Sequence, residues 1–175
     1  VIVPMKLHNE KRRIELDVNK VDKDHHDHFL NGAIFEIYDK TAKSYVTTLA
    51  SGQLMIVGNE VNEEYEITKD EDFTKIIKTI KTDENKQIIL DIDDGIYYSR
   101  KVGDDKVSKH VIKDGKAVLV DAIYGHEYEF KEIKAPTSYQ LADKSKAYKV
   151  EADKDTDTII YYFENARIVV PNTGV

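Results

Sequence analysis

Ile14-Glu15-Leu16-Asp17-Val18-Asn19-Lys20 alternates apolar and polar side chains and then breaks its own rule at the last position. A period of two is the signature of a half-buried β-strand. Ile14, Leu16 and Val18 form the inward face, and Glu15, Asp17 and Asn19 read as the solvent face. Working outward, Tyr128-Glu129-Phe130-Lys131-Glu132 repeats the pattern. Ile159-Ile160-Tyr161-Tyr162-Phe163-Glu164-Asn165 is apolar on both faces at first and alternates only at its end. Further strand-like runs fall at 33–38, 53–57, 65–67, 87–92, 96–100, 117–120 and 147–150. Turn dipeptides such as Asn31-Gly32, Ser51-Gly52, Asp94-Gly95 and Asp114-Gly115 separate them. Many short strands between turns predict an all-β fold, a Greek-key β-sandwich. In 70–80, Phe73, Ile76, Ile77 and Ile80 recur at helical spacing; the segment reads either as a helix or as a turn followed by a strand.

Composition bounds the function. The chain has 175 residues, 41% of them hydrophobic, which suits one domain or one domain with a sizeable insertion. Thirty-three acidic against 26 basic residues argue against a nucleic-acid partner, which needs a basic stripe for phosphates. No apolar run approaches the roughly 20 residues that span a bilayer. The chain opens at Val1 rather than Met, and is expected to be a mature or trimmed piece. With no cysteine, an extracellular fold of this kind must be braced by something other than disulfides. A faint repeat aligns Lys86 to Lys101 with Lys116 to Lys131 at an offset of about thirty residues. It suggests that 51–102 is a nested β-rich insertion built like its host.

Three polar residues continue inward faces: Lys20 after Val18, Glu132 after Phe130 and Asn165 after Phe163. Burying either charged one alone costs several kcal/mol, so each could simply mark where its strand reaches the surface. As a set they have a chemistry. A desolvated lysine has a lowered pKa and offers a neutral, nucleophilic amine. A buried glutamic acid stays protonated and can polarise a carbonyl and relay a proton. Attack of Lys20 on the Asn165 side-chain amide, promoted by Glu132, would release ammonia and leave an isopeptide bond from first strand to last. Closing so long a loop is worth about 4–5 kcal/mol on the chain-entropy view.

The segments around these residues resemble a known family. Asn19-Lys20-Val21-Asp22 with Leu30-Asn31-Gly32-Ala33-Ile34-Phe35-Glu36-Ile37-Tyr38-Asp39 is similar to the opening of CnaB-type (SpaA/prealbumin-like) domains of Gram-positive surface proteins. Tyr128-Glu-Phe130-Lys-Glu132-Ile-Lys-Ala135-Pro136-Thr-Ser-Tyr139 resembles the family's glutamate motif, and Phe163-Glu164-Asn165-Ala166-Arg167 its closing strand. The resemblance implies an Ig-like, prealbumin-like (CnaB) sandwich in which Lys20 and Asn165 form the bond and Glu132 catalyses it. Two departures stand out. Ser138 replaces the family's usual glycine before the tyrosine, and 51–102 is extra.

The terminal Val170-Pro171-Asn172-Thr173-Gly174 resembles the sortase sorting signal Leu-Pro-x-Thr-Gly. That resemblance implies a sortase as partner, cleavage before Gly174, and transfer of Thr173 to peptidoglycan or to another pilin subunit. The chain then reads as cut at the motif, extracellular and covalently attached to a Gram-positive wall or pilus. The expected division is a linker over 1–10, a CnaB-like domain over 11–168 and a sortase segment over 169–175. No cofactor and no metal are expected. Asp24-His25-His26-Asp27-His28 has metal-binding residue types but no partner ligands at a recognisable spacing, and reads as a solvated loop. No hydrolytic triad or phosphate loop is present, so no substrate turnover is expected. Two rivals to a structural brace are a domain that grips a host surface ligand through 51–102, and a transthyretin-like enzyme or transport domain without a crosslink.

Overall fold

The structure is a computed structural model that describes residues 11–170 except Ala152 and Lys154. Thirteen strands make up its regular elements. They are β1 (Arg13–Asp22), β2 (Ile34–Asp39), β3 (Ser44–Ala50), β4 (Leu54–Val57), β5 (Glu64–Thr68), β6 (Ile76–Lys81) and β7 (Gln87–Leu90). The remainder are β8 (Gly95–Lys101), β9 (Ser108–Ile112), β10 (Lys116–Ile123), β11 (Glu127–Lys134), β12 (Lys146–Lys149) and β13 (Thr158–Asn165). Two sheets face each other as a sandwich, one ordered β10-β1-β13 and the other β12-β11-β2-β3. Between them lie Ile14, Leu16, Val18, Phe35, Ile37, Tyr128, Phe130 and Phe163, the inward residues of alternating strands. Phe35 of one sheet meets Phe163 of the other edge-on, with ring centroids 4.9 Å apart, which locks the two layers at their centre.

β1 is the middle strand of its sheet. It runs antiparallel to β10 and parallel to β13, with Lys20 opposite Phe163 and Asp22 opposite Asn165. A central strand is flanked on both sides, and this overturns the reading of its outer face as solvent. Asp17 and Asn19 are buried there, beside Val118 of β10 and Ile160 and Tyr162 of β13. Lys113 reaches across to Asp17 at 2.9 Å and to Glu15 at 2.7 Å. Burial and the adjoining Glu15 push the Asp17 carboxyl up to about 6.

β4 to β9 hydrogen-bond only among themselves, as the pair β4-β7 and the sheet β6-β5-β8-β9. They enclose a separate core of Leu54, Ile56, Ile67, Ile88, Tyr97 and Ile112. The segment at 70–80 takes the turn-then-strand form: Phe73 is buried in the loop before β6, an edge strand paired with β5 whose Ile76 and Ile77 are exposed, so the apolar spacing serves no helical face. The chain leaves the main sandwich after β3 and re-enters at β10 beside its exit, where Gly52 N–H donates to Lys116 O at 2.9 Å. Asn31 clasps this crossing: its Oδ1 accepts from Gly115 N–H at 2.7 Å, and its Nδ2 donates to Asp114 at 2.9 Å. Gly52 and Gly115 both have positive φ, and a Cβ on either would overlap Asn31 or Phe29.

The serine that departs from the family pattern has a conformational cost. Pro136 O accepts from Tyr139 N–H at 3.1 Å, closing a turn whose third residue, Ser138, has φ +73°. That region favours glycine, as in type II turns. Ser138→Gly is therefore expected to raise stability by about 0.5 kcal/mol, read as a small rise in the denaturation midpoint at unchanged m-value.

Candidate functional site

Lys20, Glu132 and Asn165 are all buried at one end of the main core. Lys20 arrives from β1, whose inward face it shares with Leu16 and Val18. Its ammonium donates to Phe163 O at 2.8 Å and to Val21 O at 3.2 Å, and lies 5.4 Å from the Phe163 ring centroid. Two carbonyls and an aromatic ring solvate a cation poorly compared with water. Burial accordingly pushes the Lys20 pKa down to about 8, against the opposing pull of Glu132.

Glu132 comes from the facing sheet. The β11–β2 register shifts between Glu132 and Lys134, a bulge just past the glutamate, and Glu132 itself pairs with Phe35. Its Oε1 accepts from Asn165 Nδ2 at 2.6 Å and from Ala142 N–H at 3.0 Å. Its Oε2 is buried without a partner. Asn165 ends β13, and its Nδ2 also donates to Gln140 O at 2.8 Å. A main-chain carbonyl can only accept, so Gln140 fixes which way the amide points. The nitrogen sits between Glu132 and Gln140, and the buried oxygen Oδ1 has no partner. The orphaned Glu132 Oε2 and Asn165 Oδ1 are expensive in a core.

A polar belt closes this end of the sandwich. Asp22, buried two residues beyond Lys20, accepts from Tyr139 Oη at 2.6 Å and from Arg167 Nε at 3.0 Å. The tyrosine hydroxyl, with help from the Arg167 guanidinium, holds its carboxyl well below the usual carboxylate range. Tyr139 and Arg167 also form a β-bridge, which fastens the 136–142 loop over Asn165. Asp22, Tyr139 and Arg167 all stood in the segments that carried the family resemblance, yet sequence reasoning gave them no role. Gln140 and Ala142 act through their main chains and leave no mark in the sequence.

The remaining sequence candidates lie elsewhere. His26 bonds Glu164 at 2.7 Å and stacks on Tyr162, so that loop is tied to β13. Among the described residues no group of three or more ligating side chains could hold a metal ion. Of the terminal motif, Val170 is the last described residue and is exposed, while Pro171, Asn172, Thr173 and Gly174 lie outside the described residues.

Residues 14–167 match the family model of the SpaA prealbumin-like fold domain. Among solved structures, the chain is similar to GBS52, the minor pilin of Streptococcus agalactiae: 21% identity, TM-score 0.43, covering 94% of this chain and 49% of that one. It is also similar to domains D2 and D3 of the major pilin SpaD of Corynebacterium diphtheriae, at 21% identity and TM-score 0.38, covering 90% and 48%. A third is the pilus 2b backbone protein of group B streptococcus, at 17% identity and TM-score 0.43, covering 89% and 42%. The chain thus spans about half the length, or less, of the pilin chains it matches. No curated protein matches it. With the match running from β1 to just past β13, the chain belongs to the SpaA family of prealbumin-like fold domains, which are structural modules rather than enzymes.

Proposed function

We propose that the protein is a covalently braced structural module of a Gram-positive pilin or surface adhesin, crosslinked between Lys20 and Asn165 with Glu132 as promoter. The observation that carries this reading is the buried Glu132–Asn165 hydrogen bond beside a lysine whose amine is desolvated. In the step, the neutral Lys20 amine attacks Asn165 Cγ, forming a C–N bond. The bond from Cγ to Nδ2 breaks, and Nδ2 leaves as ammonia. Glu132 lies on the nitrogen side of the amide, so its part is chiefly to take the amine proton and deliver it to the departing Nδ2. No oxidant is needed, and the chain becomes lighter by one ammonia.

Such a bond would join β1 to β13 near the end where both strands finish. A pull on the chain ends would then pass along β1, across the amide and out at Ala166, sparing everything folded between. We further propose that the insertion expected over 51–102 extends to Ile112, because β9 pairs with β8. Anchoring through Thr173 by a sortase, to peptidoglycan or another pilin subunit, completes the reading and rests on the terminal motif alone.

Intact mass is the direct test. The wild-type chain is expected one ammonia below its sequence mass and Glu132→Ala at full mass; full mass in both sinks the crosslink. Where the bond is missing, thermal stability should fall by about 4–5 kcal/mol, roughly 10–20 °C in Tm. A pH dependence follows as well. In Asn165→Ala, Lys20 stays an amine with a folded pKa near 8 against an ordinary 10.5, so the unfolded chain binds more protons between those values. Asn165→Ala should therefore gain stability from pH 8 to 10.5 relative to Asn165→Ala/Lys20→Met, whereas the crosslinked wild type should not.

A further inference from the structure

A groove of about 760 Å³ runs where β3 of the main sandwich meets β9 and β10. Its charge is opposite to that of the chain. Overall, acidic residues outnumber basic ones by 33 to 26. The groove is instead bordered by Arg13, Arg100, Lys101, Lys106, Lys109 and Lys116, against Asp104 and Asp121 alone. Arg100 is paired with Glu66 at 3.0 Å and Lys101 with Glu63 at 2.6 Å. Among the described residues, the other four cations make no ion pair. Exposed apolar side chains, Tyr45, Val46 and Val107, stand among them.

The walls have a second property. β3, β9 and β10 are each the outermost strand of their sheet, hydrogen-bonded to a neighbouring strand on one side only. Val46 falls at the register shift between β2 and β3 and has no partner residue in β2. Open strand edges offer main-chain donors and acceptors at the spacing of an extended peptide, and they are the usual route by which a strand is added to a sheet. Unpaired cations select for negative charge. From these two properties together we infer that the groove receives an extended acidic peptide segment of another protein, with carboxylates toward Lys106, Lys109 and Arg13 and apolar side chains against Tyr45 and Val107. This site is separate from the buried Lys20, Glu132 and Asn165, and the inference does not rest on the crosslink.

The test uses the whole chain and a fluorescein-labelled peptide, Asp-Val-Asp-Val-Asp-Val-Asp, followed by anisotropy and by amide hydrogen exchange. Saturable binding is expected, weakened roughly tenfold or more in Lys106→Glu/Lys109→Glu and unchanged in Lys144→Glu in the loop before β12, the opposite edge strand of the β3 sheet. Bound peptide should slow exchange at main-chain amides of β3, β9 or β10. Both groove lysines are exposed, so the double variant should keep the wild-type circular dichroism. Absence of binding, or binding that the charge reversal leaves intact, overturns the inference. So does heparin binding with the same lysine dependence while the peptide protects no amide, which would mark a patch for sulfated polysaccharide instead.

Discussion

The rest of the sandwich depends on the parallel pairing of β1 with β13. Antiparallel neighbours can be joined by a tight turn, but a parallel pair needs the chain to travel round and return. Here the first strand pairs with the last, and every other strand lies between them in the chain. The pairing is also what brings Asn165 to the end of the core where Lys20 points. It sets Asp22 opposite Asn165 and lets Tyr139 and Arg167 close over both. A one-residue slip would turn Lys20 and Asn165 to opposite faces. The register is protected by Phe163, which packs against Phe35 from the other sheet and could not turn outward without emptying the centre of the core.

The same end of the core is energetically awkward until its polar groups react or are satisfied. An ammonium held by two carbonyls, an unpartnered carboxylate oxygen and an unpartnered amide oxygen lie within one apolar enclosure. Hydrophobic residues of similar size would make a more stable core there. Keeping such groups in place asks for precise support, and the Gln140 carbonyl and Ala142 N–H provide it from a loop fastened by the Tyr139–Arg167 bridge. The fold therefore carries local polar strain in exchange for reactive groups held at fixed positions.

Much of this was legible from alternation alone. The three strands that position the trio were visible because each has an apolar inner face that ends in a polar residue. The sequence misled where alternation reports only polarity and not position in the sheet: Asp17 and Asn19 look like solvent residues, yet a central strand buries them under β13 and Lys113. β3 and β9 are missing from the strand-like runs, because edge strands with largely exposed side chains, as in Ser44-Tyr45-Val46-Thr47-Thr48 and Ser108-Lys109-His110, need no apolar-polar alternation. The open groove edges were therefore invisible in the sequence, as were the main-chain partners of Glu132 and Asn165. Ser138 was the opposite case. It stands out in the sequence as a departure from the family pattern, and its positive φ supplies the reason glycine is usual there.

The Asn31 clasp bears on the shape of anything built from such modules. Because β1 and β13 point the same way, the described chain enters at one pole of the sandwich and leaves at the other. The nested strands depart and return through a neck held together by Gly52, Lys116 and Asn31 beside the end of β1, and their β9 lies along the flank of the edge strand β10. Residues added there enlarge the module sideways and leave its pole-to-pole length alone. In a fibre of end-to-end modules, insertions at this neck would change girth and surface, while the repeat distance along the fibre stayed constant.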